Sequence, residues 1–116
     1  MPASNFLVTE GEVSLILRVH REQGYTIVAI CDKELLGRTI VQGDLQLHIS
    51  EEFFAGDEVD AHDVREIAER ISTADSVVAF GEKACKALQR IYPSVSEAVV
   101  TVGGVPHVQV FRTLIE

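Results

Sequence analysis

The sequence predicts an α/β domain on the α+β border: a mixed sheet of five or six strands with an N-terminal hairpin, a C-terminal strand-helix-strand crossover and two main helices. Three observations predict it. Apolar and polar residues alternate at residues 13–20 and again at 25–31, which is the period of half-buried strands. At Val64, Ile67, Ala68 and Ile71 the apolar spacing becomes helical. Finally, the wholly apolar run Val77-Val78-Ala79-Phe80 precedes a helix-period segment and then more β-rich residues, the order of a crossover unit.

The first two strands are joined by the polar Arg21-Glu22-Gln23-Gly24, whose glycine can take positive φ, so they form an antiparallel hairpin. Asp32-Lys33-Glu34-Leu35-Leu36-Gly37 reads as a single helical turn, with Asp32 as its cap and Gly37 as its stop. A third strand, Leu45 to Ile49, follows the turn Gln42-Gly43-Asp44, and Ser50-Glu51-Glu52-Phe53-Phe54-Ala55-Gly56 is an acidic turn. Asp60 is the expected N-cap of a helix over residues 61–71. Gly81 separates the apolar strand from a helix over residues 82–91, with Ala84, Leu88 and Ile91 on one face and Tyr92-Pro93 at its end. Residues 99–102 and 105–111 are β-rich on either side of Gly103-Gly104.

The chain's 116 residues suit one domain, 1–116, with 47% hydrophobic and 24% charged residues and no repeat, linker or low-complexity tract. The apolar runs are shorter than a membrane helix needs and the first residues lack a signal-peptide pattern, so a cytoplasmic protein is expected, with no membrane partner. Cys31 and Cys85 form no CxxC pair and read as buried thiols. The net charge of −8 is uneven. Nine acids between Asp44 and Glu69 face the single Arg65, so this sector alone carries −8 and the remainder sums to zero. Such a balance disfavours DNA as a partner, since phosphate binding draws on Lys and Arg, but leaves room for a protein or ribonucleoprotein partner.

Several clusters are candidates for chemistry. Gly81-Glu82 opens a helix directly after a strand, where free N–H groups can hold an anion, although no GxGxxG or P-loop pattern accompanies it. Lys83, Lys86 and Arg90 share one helix face, either as a solvated stripe or as a docking surface. His20, His48, His62 and His107 lack metal-ligand spacing, so no metal and no cofactor is expected. Gly104, Pro106, His107 and Gln109 form a constrained segment that could present an imidazole and an amide on one side of a strand. Cys31-Asp32 is either a thiol beside an activating carboxylate or a buried Cys followed by a cap. One of Phe53 and Phe54 should enter the core, and Phe54 is a candidate partner anchor.

In order and spacing, Cys31-Asp32 with Glu34-Leu35-Leu36-Gly37, Gly43, Ser50-Glu51-Glu52-Phe53 with Gly56, Gly81-Glu82, and Gly104-Val105-Pro106-His107 with Gln109 resemble the archaeal domain-of-unknown-function family 424. Phe54 and Val78 depart from that pattern, where tyrosine and asparagine are expected. The resemblance implies an archaeal cytosolic protein and a shared fold, and brings no catalytic residues. The expected function is a non-enzymatic binding or adaptor module, linked to translation or RNA metabolism. The alternative is a small-ligand or enzymatic site formed at strand ends by Cys31, Asp32, Gly81, His107 and Gln109. A homo-oligomer built through exposed sheet edges is a third reading.

Overall fold

A computed structural model describes residues 14–112. The expected hairpin is present as β1 (Ser14–Glu22) and β2 (Tyr25–Asp32), paired in antiparallel register from Leu15 opposite Asp32 to Glu22 opposite Tyr25. Its turn is tighter than the expected Arg21-to-Gly24 loop. Only Gln23 and Gly24 lie outside the ladder, with φ of 54° and 83°, which is the two-residue geometry matched to strand twist.

After β2 comes a 3-10 turn, Lys33–Leu35, then a separate two-stranded ladder of β3 (Thr39–Gln42) and β4 (Leu45–His48). The acidic turn expected at residues 50–56 is a four-residue helix, α1 (Glu51–Phe54), capped by Ser50, whose hydroxyl accepts from the Phe53 amide. The strand β5 (Asp57–Asp60) was not foreseen, because three of its four residues are acids. Asp60 therefore ends a strand, and the N-cap of α2 (Val64–Ile71) is Asp63, whose side chain accepts from Glu66 N–H. The chain continues through β6 (Ser76–Phe80), α3 (Glu82–Ile91), a 3-10 segment Pro93–Ala98, β7 (Val100–Val102) and β8 (Val105–Phe111).

Six strands form the main sheet in the order β5-β1-β2-β6-β8-β7. Only β2 and β6 pair in parallel, so the sheet is mixed. β6 and β7 are both antiparallel to β8 and therefore run the same way, as the crossover reading expects, with β8 inserted between them. The apolar β6 sits inside the sheet, flanked by β2 and β8.

Strand alternation sends side chains to two separate cores. On one face Leu15, Leu17, Val28, Ile30, Val77, Ala79, Val108 and Val110 pack with Ile67 and Ile71 of α2 and Ala84, Ala87 and Leu88 of α3. The other face, with Ile16, Ala29 and Cys31, is covered by Leu35 of the 3-10 turn, Ile40 of β3, Ile49 just after β4 and Phe54 of α1. The helices thus hold one side, and a thinner layer of short elements holds the other. No helix among the described residues is long and apolar enough to cross a membrane.

Candidate functional site

At one end of the sheet, Cys31-Asp32 on β2, Gly81-Glu82 after β6 and Pro106-His107 on β8 do come together. What joins them is a helix cap. Asp32, 4% exposed, turns to the helical face, where its two carboxylate oxygens accept from the backbone N–H groups of Lys83 at 3.2 Å and Ala84 at 2.8 Å. It makes no side-chain cap on the 3-10 turn that follows it, contrary to the sequence reading, because its direction in the strand aims it at α3 instead. The anion position at the start of α3 is thereby filled by the protein's own carboxylate.

Gly81 completes this arrangement. Its backbone, at φ 110° and ψ 158°, lies in a region essentially reserved for glycine, and a Cβ there would overlap the Asp32 carboxylate. The Gly81 N–H donates to the Pro106 carbonyl at 2.8 Å, tying β8 to the same corner. Desolvation raises the Asp32 carboxyl above its usual value of 3.8, outweighing the two N–H donors that pull it down. Glu82 is exposed and forms an ion pair with Lys86 at 3.5 Å. Gly104 forms the exposed β7–β8 turn with φ 81°.

Cys31 faces away from Asp32, into the opposite core, and is fully buried. Burial, with the nearby Asp32 charge, pushes its thiol up to about 12, so at neutral pH it is a protonated thiol enclosed by apolar groups and not a nucleophile. Cys85 is buried likewise, its thiol also pushed up to about 12. His107 sits opposite Phe80 and stacks on its ring, with centroids 4.9 Å apart and planes within 7°. Its Nδ1 is buried with no hydrogen-bond partner among the described residues. Gln109 lies on the same face, two residues along, and is exposed.

The basic stripe and the aromatic anchor change meaning. Lys83 reaches Glu34 at 2.6 Å and Lys86 reaches Glu82, so two of the three cations on α3 are engaged within the chain, leaving little field for a phosphate backbone. Phe54 is 3% exposed and packs edge-on against Phe80, so it is a core residue and no partner anchor. The odd one out is Phe53. Because successive residues on a helix point about 100° apart, it stays half-exposed and stacks on His20, centroids 4.5 Å apart. The imidazole Nε2 lies 2.8 Å from the Phe53 carbonyl, which can only accept, so this nitrogen carries the hydrogen.

These contacts make a continuous row of five rings, His20, Phe53, Phe54, Phe80 and His107, running across the face opposite the helices. At its His20 end the β1–β2 hairpin overhangs, since β5 pairs β1 only from Ser14 to Leu17 and β6 pairs β2 only from Ile27 to Cys31. Two facing pairs, His20 with Ile27 and Glu22 with Tyr25, form a platform on the overhang. Together with Gln23 and Phe53 they line a groove of about 330 Å³. Neither the row nor the groove was read from the sequence. The rings come from β1, α1, β6 and β8, and only a turn placed at Gln23-Gly24 brings Glu22 onto the platform beside His20.

The family described as Protein of unknown function (DUF424) matches residues 20–113, nearly the whole of the described fold. The chain belongs to this family. A solved structure similar to it, an uncharacterized conserved protein from Methanopyrus kandleri, is 28% identical with a TM-score of 0.74, over 84% of this chain and 90% of the other. No curated protein matches. The match reaches from His20 on the platform through the Asp32 cap to His107, so both features belong to the part of the chain that defines the family.

Proposed function

We propose that the protein is a non-enzymatic binding module, an adaptor whose working surface is the overhanging end of the β1–β2 hairpin with α1 beside it. The observation that carries this is the groove: half-buried rings of His20 and Phe53, a half-buried Ile27 and an exposed Tyr25. The partner we propose is a protein, alone or within a ribonucleoprotein, because the α3 cations are largely spent inside the chain. The setting we propose is the cytoplasm of an archaeal cell, in translation or RNA metabolism; the Methanopyrus kandleri relative supports the archaeal part.

The immobilised protein, incubated with native extract, tests this when set beside Tyr25→Ser and Phe53→Ser variants. A partner held by the wild type and weakened at least about tenfold with either variant is the expected result, since an aromatic hot spot contributes about 2 kcal/mol or more. Tyr25 is 43% exposed, so its variant leaves the fold intact. A partner held equally by all three, or recovery of a bare monomer, overturns the proposal.

A second reading rests on one atom. The buried Nδ1 of His107, without a hydrogen-bond partner among the described residues, would suit a small polar ligand at the other end of the ring row. Ligand-dependent shifts at His107 that leave Tyr25 untouched would favour it.

A further inference from the structure

We infer that the groove at the hairpin tip takes a cationic side chain, an arginine guanidinium on an exposed segment of the partner protein. The inference rests on the binding reading above and names what the groove recognises. Its lining offers one exposed ring and one carboxylate. Tyr25, 43% exposed, stands across the hairpin beside Glu22, while His20 and Phe53, stacked on each other 15° apart, wall the groove. A planar guanidinium stacks on aromatic faces and pairs with a carboxylate, while its propyl stem lies along apolar surface such as Ile27.

The charges around the groove agree. Among the described residues, Glu22 is the one formally charged residue that lines it, and no lysine or arginine does. Arg18, on the same face two residues before His20, is turned to the Ala55 carbonyl at 3.1 Å, and Arg21 belongs to the opposite face. α1 contributes exposed Glu51 and Glu52 immediately before Phe53. A cationic segment leaving the groove across α1 therefore meets complementary charge from these two carboxylates. The volume, about 330 Å³, is at the small end for ligand pockets and fits one side chain better than a folded surface.

The test is an NMR titration of the full chain with the peptide acetyl-Gly-Arg-Gly-amide, the same peptide with neutral citrulline in place of arginine, and adenosine. Binding of the arginine peptide should be weak and map to His20, Glu22, Tyr25, Ile27 and Phe53. Citrulline, or the Glu22→Gln variant, should weaken it about three- to tenfold, and added salt should weaken it too. Equal binding by citrulline overturns the inference, as does preferential binding of adenosine, though either leaves the groove a binding surface. Shifts confined to other faces overturn the inference as well, and the extract experiment then decides the binding reading separately.

Discussion

Asp32 shows how one carboxylate can look catalytic in sequence and be architectural in structure. Its neighbours Cys31, Gly81 and Pro106 are explained by the same cap: the thiol points into the other core, the glycine makes room, and the carbonyl takes the glycine's N–H. Replacing Asp32 by Ala leaves two helix N–H groups without acceptors in a buried corner and should cost about 1–3 kcal/mol, measured by urea unfolding. Gly81→Ala should cost at least as much, because the backbone is in glycine-only territory and the Cβ meets the carboxylate. The pH dependence has a defined sign. A carboxyl raised by burial binds its proton more tightly folded than unfolded, so its contribution is fully present below pH 3.8 and is lost as pH rises through the folded value. The stability difference between wild type and Asp32→Asn should therefore move in favour of the variant from about pH 4 upward; a flat difference contradicts the assigned burial. Both thiols should resist Ellman's reagent until the protein unfolds.

At the scale of elements, what was legible depended on periodicity. The hairpin, the apolar β6 and helix α3 repeat apolar residues at strand or helix spacing and were readable. β3 and β5 were not, because a four-residue edge strand such as Asp-Glu-Val-Asp buries one side chain, Val59, and hides its pairing behind charges that protect a sheet edge. α1 escaped for another reason: its four residues are held by the Ser50 cap and by Phe54 in the core, a tertiary stabilisation that no local pattern encodes. Phe54→Ala should accordingly cost about 3–5 kcal/mol, and far more than Phe53→Ala, in thermal or urea unfolding. A double-mutant cycle on Phe80 and His107 should give a coupling of about 0.5–1.5 kcal/mol, as expected for stacked rings. Equal costs at Phe53 and Phe54 would contradict the division between groove and core.

Across the whole molecule, the sheet separates the side that carries the helices from the side proposed to bind. The two helices and the larger core lie on one face; the aromatic row, the groove and the thin covering layer lie on the other. The sequence contained the charge asymmetry in full, but could not say that two of the three α3 cations would pair within the chain while the hairpin tip kept an open groove, since both depend on which elements the fold brings together. The two sheet edges differ in the same spirit. Asp57, Glu58 and Asp60 on β5 oppose pairing with a second copy, so any association of copies that sedimentation detects should grow through the uncharged β7. The most direct test of the binding module is a hydrogen-exchange footprint of the complex recovered from native extract. Protection concentrated at residues 18–27 and 50–56 is the result expected; protection at α3 or at the Asp32, Gly81 and His107 corner, with the hairpin tip unchanged, would contradict it.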